Sequence, residues 1–237
     1  MSESSQTRNG LVRYGAGGLV VVVLAAGIAL GVSQCAGSRT STPPAVTRPA
    51  SASPAGTSAC DEGRTRMSGT VSKAPEADWS IVGTMAAPGS RGSGPGEAAP
   101  GGFRRCFAHT PEGALMAAAN FTAMMSAPEL MGRMARDSVL PGPGRDAAIA
   151  KNFGASASAA PAGASVQIAG FQMIAYDGRS TQINIAVKVA GAGSASVPWQ
   201  LGWSGGDWKF KVADDGEVLF DPTALEDMSG YITWGTS

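Results

Sequence analysis

The spacing of apolar residues changes character along this chain, and each change predicts an element. From Tyr14 to Ser33, "YGAGGLVVVVLAAGIALGVS", no charge interrupts the apolar run. About 20 residues at ~1.5 Å each span roughly 30 Å, the thickness of a bilayer core, so a transmembrane helix is predicted over 14–34. Its glycines, with Gly27 and Gly31 four apart, suit close helix packing in lipid. A cleaved signal peptide has a shorter apolar core of ~7–15 residues. A lipoprotein signal ending at Cys35 would want a small residue where Gln34 stands. Next comes "GSRTSTPPAVTRPASASPAGTSA", which has no large apolar residue able to build a core, so 35–59 reads as a disordered linker.

Helical signals begin at Thr110. Thr is a good N-cap, Pro111 suits the first helical position and Glu112 suits the helix dipole. Leu115, Ala118, Ala119, Thr122 and Met125 fall on one face at helical spacing, and Pro128 ends the run. Shorter helices are predicted over Glu129–Arg136 and Gly144–Phe153, separated by "LPGPG". A loop of small residues follows, 154–163.

The period then falls to two. "SVQIAGFQMIAYD" reads as a long strand with a bulge or bend at Gly170, and "DGRS" as a turn. In "QINIAVKVA", Ile183, Ile185, Val187 and Val189 alternate with polar or small residues, as in a half-buried strand. Trp199, Leu201 and Trp203 alternate, "SGGD" turns, and Trp208, Phe210 and Val212 alternate with Lys209 and Lys211. That is a β-hairpin with an aromatic inner face and its lysines on a solvated outer face. A short apolar piece, Val218–Phe220, and a terminal segment, Leu225–Trp234, pack back on the domain. Helices first and about four antiparallel strands after them predict an α+β domain over 103–237, with the helices covering the apolar sheet face.

Between linker and domain lies 60–102. Trp79, Ile81 and Val82 suit a short strand or a plug, and "APGSRGSGPGEAAPGG" a loop. The segment reads as an extended lead-in wrapping the domain.

Net charge is zero, and Arg64, Arg66, Arg104 and Arg105 come nearest to a basic cluster, which argues against direct nucleic-acid binding. Of the three cysteines, Cys60 and Cys106 lie in the soluble part. In an exported domain they suggest a disulfide worth ~4 kcal/mol by chain-entropy arithmetic, against the alternative of two unrelated buried thiols. Arg8 and Arg13 before the apolar run balance Arg39 and Arg48 after it. A short polar tail (1–13), one anchor and a large domain place the N-terminus in the cytoplasm and the domain outside. The only histidine, His109, adjoins the helix cap and reads as a surface or capping residue. With one histidine and no CxxC, a zinc site of the usual kind is excluded. No catalytic constellation and no cofactor motif is visible, so no catalytic, cofactor-binding or metal residue is assigned.

An anchor, a spacer, a long helix and then four strands ending in "WxxGDWK" form an order that resembles the nuclear-transport-factor-two-like, or cystatin-like, cone fold. Bitopic proteins of this plan include the inner-membrane assembly factor of type IV secretion systems. "GFRRCFAHTPEGALMAAANF" with "VPWQLGWSGGDWKFKV" downstream is similar to proteins of actinobacterial integrative and conjugative elements. The resemblance covers Phe103 to Pro222. It implies a non-catalytic scaffold in the cell membrane that contacts other membrane-complex subunits and copies of itself. Accessory subunits of actinobacterial cell-envelope lipid transporters share the plan. A third possibility is a small-ligand or enzymatic cone with Tyr176, Asp177 and His109 at its mouth.

Overall fold

The computed structural model describes Cys60 and residues 65–153, 165–219 and 221–236. The expected membrane helix, Cys35, the linker and the loop after Phe153 lie outside the described residues. Among the described residues no helix is long and apolar enough to cross a membrane.

The domain is α+β, with few helices and a mostly antiparallel sheet. Four strands form the predicted meander: β5 (Val166–Tyr176), β6 (Ser180–Val189), β7 (Gly193–Ser204) and β8 (Asp207–Phe210). Two short strands complete the sheet. Strand β9 (Thr223–Leu225) pairs with the first half of β7, and β10 (Ile232–Thr233) pairs with β5. The period-two residues meet across the ladder: Ile183 faces Trp199, Ile185 faces Val197, Leu201 faces Phe210 and Trp203 faces Trp208. Register shifts fall between Ile168 and Gly170, where a bend is expected, and again between Met173 and Ala175. Each adds a residue to β5 and bends it.

Helix α1 (Pro111–Met124) starts as its sequence predicts: the Thr110 hydroxyl accepts from the Gly113 N–H at 3.0 Å. Pro128 to Leu130 is a single 3₁₀ turn, followed by α2 (Met131–Asp137) and α3 (Pro143–Ala150). The expectation that α1 lays one face on the sheet needs correcting. Every residue of α1 except Glu112 is buried. A helix apolar all round must be enclosed, and the lead-in supplies the second wall.

The lead-in is more than an extended wrap. Its Trp79 stretch forms a hairpin, β1 (Asp78–Val82) with β2 (Met85–Gly89), and β2 packs along α1 and beside β5, whose Gln167 takes the Ala86 N–H at 3.0 Å. Within the stretch read as a loop, β3 (Glu97–Ala98) pairs with β4 (Arg104–Arg105). Trp79 does pin the segment: its ring packs against Trp234 at 5.1 Å, and the Trp234 indole N–H donates to the Pro75 carbonyl at 2.9 Å.

The outer sheet face is not uniformly solvated. Between β9 and β10 the chain crosses from β7 to β5, and Tyr231 donates to the Ser196 hydroxyl at 2.6 Å. A side chain at Gly170 would collide with Met228 and the Ile232 carbonyl, so glycine there admits this belt. Lys209 is half-buried and not a solvated lysine: its ammonium donates to the Asp137 carbonyl, at the end of α2, at 2.5 Å. Lys211 is exposed.

Candidate functional site

Two groups of side chains concentrate the polar chemistry of the domain. The first lies where the lead-in begins. Residues 65–69 form a strap across the mouth of the β5–β6 hairpin. Thr65 bridges to His109, and the Arg66 N–H donates to the His109 carbonyl at 2.8 Å. The Tyr176 hydroxyl donates to the Arg66 carbonyl at 2.6 Å. The Arg66 guanidinium grips both Glu112 oxygens, and Met67 lies over Gly178. Partial burial opposes ionisation of Glu112, but hydrogen bonds from Arg66 and from its own backbone outweigh it and hold the carboxyl below its ordinary value. Cys60 and Cys106, at disulfide distance with sulfurs 1.95 Å apart, tie the start of the strap to the body.

Under the strap is an aromatic cluster. The His109 ring stacks flat on Trp203 at 3.9 Å and meets Trp208 edge-on at 5.7 Å. Its Nε2 hydrogen-bonds the Gly178 carbonyl. Tyr176 tilts against Trp208 at 5.7 Å. His109 is thus neither a surface residue nor a cap. It is half-buried and joins the first helix turn to the β5–β6 turn.

The second group is built around two buried charges. Asp207 opens β8 after Gly205 and Gly206, whose positive φ angles of 63° and 80° make the tight turn that glycine permits. Its carboxylate accepts the N–H groups of Cys106, Phe107 and Trp208, each at 2.9 Å. Burial pushes its pKa above the ordinary value despite those donors. The Asp207 bonds fix the chain beside the disulfide. Arg104 lies 7 % exposed between α1 and the hairpin. It donates to Asn120 Oδ1 at 3.1 Å, to the Ser80 hydroxyl at 2.6 Å and, at longer range, to the Ala87 and Pro88 carbonyls. Asn120 donates in turn to the Pro88 and Met116 carbonyls at 2.8 Å. All these acceptors are neutral, and burial lowers the Arg104 pKa. Among the described residues no carboxylate pairs with it.

The expected mouth residues are therefore partly assembled. His109 and Tyr176 share Trp208, but Asp177 turns away. Its oxygens accept from the Arg179 and Ser180 N–H groups and the Ser180 hydroxyl, which holds its pKa below the ordinary value and fixes the β5–β6 turn. Burial pushes the Tyr176 phenol up to about 12, so it stays a neutral donor. Among the described residues no three His, Cys, Asp or Glu side chains converge on one point. Sequence reasoning gave Asn120 and Asp207 no role and counted Arg66 and Arg104 only among the nearest approach to a basic cluster. A weak signal existed for Asp207, an acid closing a Gly-Gly turn between two tryptophans.

Compared with known families, residues 39–233 match the one described as Domain of unknown function (DUF8175). The chain belongs to the DUF8175 family. No curated protein and no solved structure matches it. The DUF8175 match takes in the lead-in together with helix and sheet. This agrees with their shared core, in which Val71, Val82, Met85 and Ala87 pack with the residues of α1.

Proposed function

We propose that this chain is a non-catalytic, membrane-anchored assembly component. Its anchor at 14–34 would place an extracytoplasmic domain of the cone plan in a conjugative or type IV-like transfer apparatus. One observation carries the non-catalytic part of this reading: the ionisable groups that a site would use are spent on structure. Tyr176, His109 and Asp177 are committed to backbone or turn partners, and Asp207 and Arg104 to backbone and amide groups. The interior that a ligand would enter is filled by Phe121, Trp199, Trp208 and Phe210, all at or below 2 % exposure. The anchor rests on the uncharged apolar run of the sequence, and the apparatus rests on the resemblance over Phe103–Pro222.

The test is gentle detergent extraction of the tagged full chain from its native membrane after crosslinking, with identification of what accompanies it. Secretion ATPases, a coupling protein or channel subunits are the expected companions. Recovery of lipid-transporter subunits would replace the transfer apparatus with a transporter. No reproducible companion would overturn the assembly reading.

A further inference from the structure

We propose that the outer edge of β1 is a self-pairing surface, joining two copies of this chain as antiparallel strands about a two-fold axis at Ser80. The inference names a partner for the assembly reading and rests on it only for its biological setting; its evidence is separate.

Among the described residues strand β1 has one neighbour, β2, in regular register: Val82 faces Met85, Ile81 faces Ala86, Ser80 faces Ala87 and Trp79 faces Pro88. In an antiparallel pair, alternate residues turn their N–H and C=O groups away from the partner strand. Two facts show which residues these are. The Ala86 N–H points away from β1, donating to Gln167 Oε1 at 3.0 Å, and Pro88 has no N–H to give. Trp79 and Ile81, opposite them, therefore present their backbone groups at the open edge. Natural edge strands are usually blunted by lysine, proline or a bulge. Between Asp78 and Val82 there is none, and Ile81 is 69 % exposed, the most exposed large apolar side chain among the described residues.

The edge is self-complementary. With Ser80 facing Ser80 across the axis, Trp79 of each copy faces Ile81 of the other. Those two residues carry the outward N–H and C=O groups, so four ladder hydrogen bonds form. Trp79 and Ile81 also share one face, giving two aromatic–aliphatic cross-strand pairs. On the opposite face lie Ser80 and, bonded to it, the Arg104 guanidinium. The same register brings the partner's Asp78 opposite Val82, on the Arg104 side. Asp78 is exposed, and no salt bridge engages it among the described residues. The seam then holds two guanidinium charges and two carboxylates, balancing a buried charge that neutral groups alone solvate within one copy. A contact of one surface patch with itself closes as a dimer and does not propagate.

The test uses the full chain in mild detergent with Cys35→Ser and Ser80→Cys. A directly opposed non-hydrogen-bonded pair has Cβ atoms close enough for a disulfide. Mild oxidation should give a reducible band at twice the chain mass. The same chain carrying Lys211→Cys instead should give none. Adding Ile81→Pro removes the outward N–H without touching the β1–β2 bonds, and should cut the crosslink by about tenfold or more. If that variant fails to fold, judged by near-ultraviolet circular dichroism, Ile81→Lys serves in its place, with particle mass as readout. Crosslinking no stronger than at Lys211, a crosslink unchanged by the Ile81 variants, or a band at the mass of a different protein would overturn self-pairing. Loss of the dimer with membrane companions still recovered would remove this interface and leave the assembly reading standing.

Discussion

In the helix–sheet body, Phe121 packs against Phe107, Trp199 and Phe210 with ring centres 5.3–6.1 Å apart. The lead-in gives that core four small or medium buried side chains, Val71, Val82, Met85 and Ala87, and one half-buried ring, Trp79 on Trp234. What holds the lead-in is mostly its backbone, gripped by side chains of the body. Tyr176 takes the Arg66 carbonyl, Trp234 takes Pro75, Ser126 takes the Thr84 N–H, Gln167 takes the Ala86 N–H, and Asn120 takes Pro88. The two regions share one core but rest on different physics. Burial of apolar area is cooperative and non-directional. Single hydrogen bonds give about 1 kcal/mol net and can open one at a time. The lead-in should therefore be able to loosen while the body stays folded.

Phe121→Ala should give the largest effect. It removes a ring from the centre of the body, costs about 3–5 kcal/mol and lowers both regions together. Urea denaturation followed by tryptophan fluorescence should move the transition of the body to lower denaturant, and an unmoved transition would refute the central role of this ring. The double change Cys60→Ser and Cys106→Ser comes next, at about 2–4 kcal/mol. Hydrogen exchange should rise first in the strap, 65–69, ahead of α1. Asn120→Ala removes the closer donor to the Pro88 carbonyl and leaves that Arg104 nitrogen only its longer bonds to the Ala87 and Pro88 carbonyls, for about 2 kcal/mol. Its signature is faster exchange at 78–89 with the β5–β8 ladder unchanged.

Asp207 makes the stability of the body depend on pH. Its folded pKa lies above its ordinary value, so folding takes up a proton in that window. The stability from this group is fully present below the ordinary aspartate value, about 4, and is lost as pH rises through the raised one. Relative to Asp207→Asn, the native chain should gain stability from pH 7 down to that value. Unfolding midpoints of both proteins at the two pH values check the sign. Glu112→Gln should have the smallest effect. Its pair with Arg66 is a half-exposed one, so a loss of about 0.5 kcal/mol is expected, vanishing in high salt.

The parts of this fold legible in the sequence are those fixed by neighbours along the chain. Thr110, Pro111 and Glu112 announce the start of α1 because capping is a local bond. Ile183 to Val189 and Trp199 to Val212 announce strands because a half-buried sheet imposes period two wherever it lies. The site was less legible. Arg104 and Arg105 are adjacent and identical in type, yet one is enclosed against Asn120 and the other pairs with Glu97 near the surface. His109 looked like a cap neighbour because its stacking partner, Trp203, belongs to the far end of the sheet. Nothing local distinguishes Asp207 from an ordinary turn acid. Its three donors come partly from a segment about a hundred residues earlier.

From Thr110 onward, then, the main helices, the four-strand meander and its aromatic hairpin follow from the chain alone, through propensity, capping and periodicity. Only the tertiary structure decided that α1 is enclosed on all sides. Alanine does not declare a face; it becomes buried wherever two walls approach closely, and the second wall came from a segment whose own sequence suggested a loose wrap. The tertiary structure also decided which charges are buried. The cost of desolvating Arg104 and Asp207 depends on which neutral dipoles surround them, and those dipoles are gathered from separate strands, the helix and the hairpin.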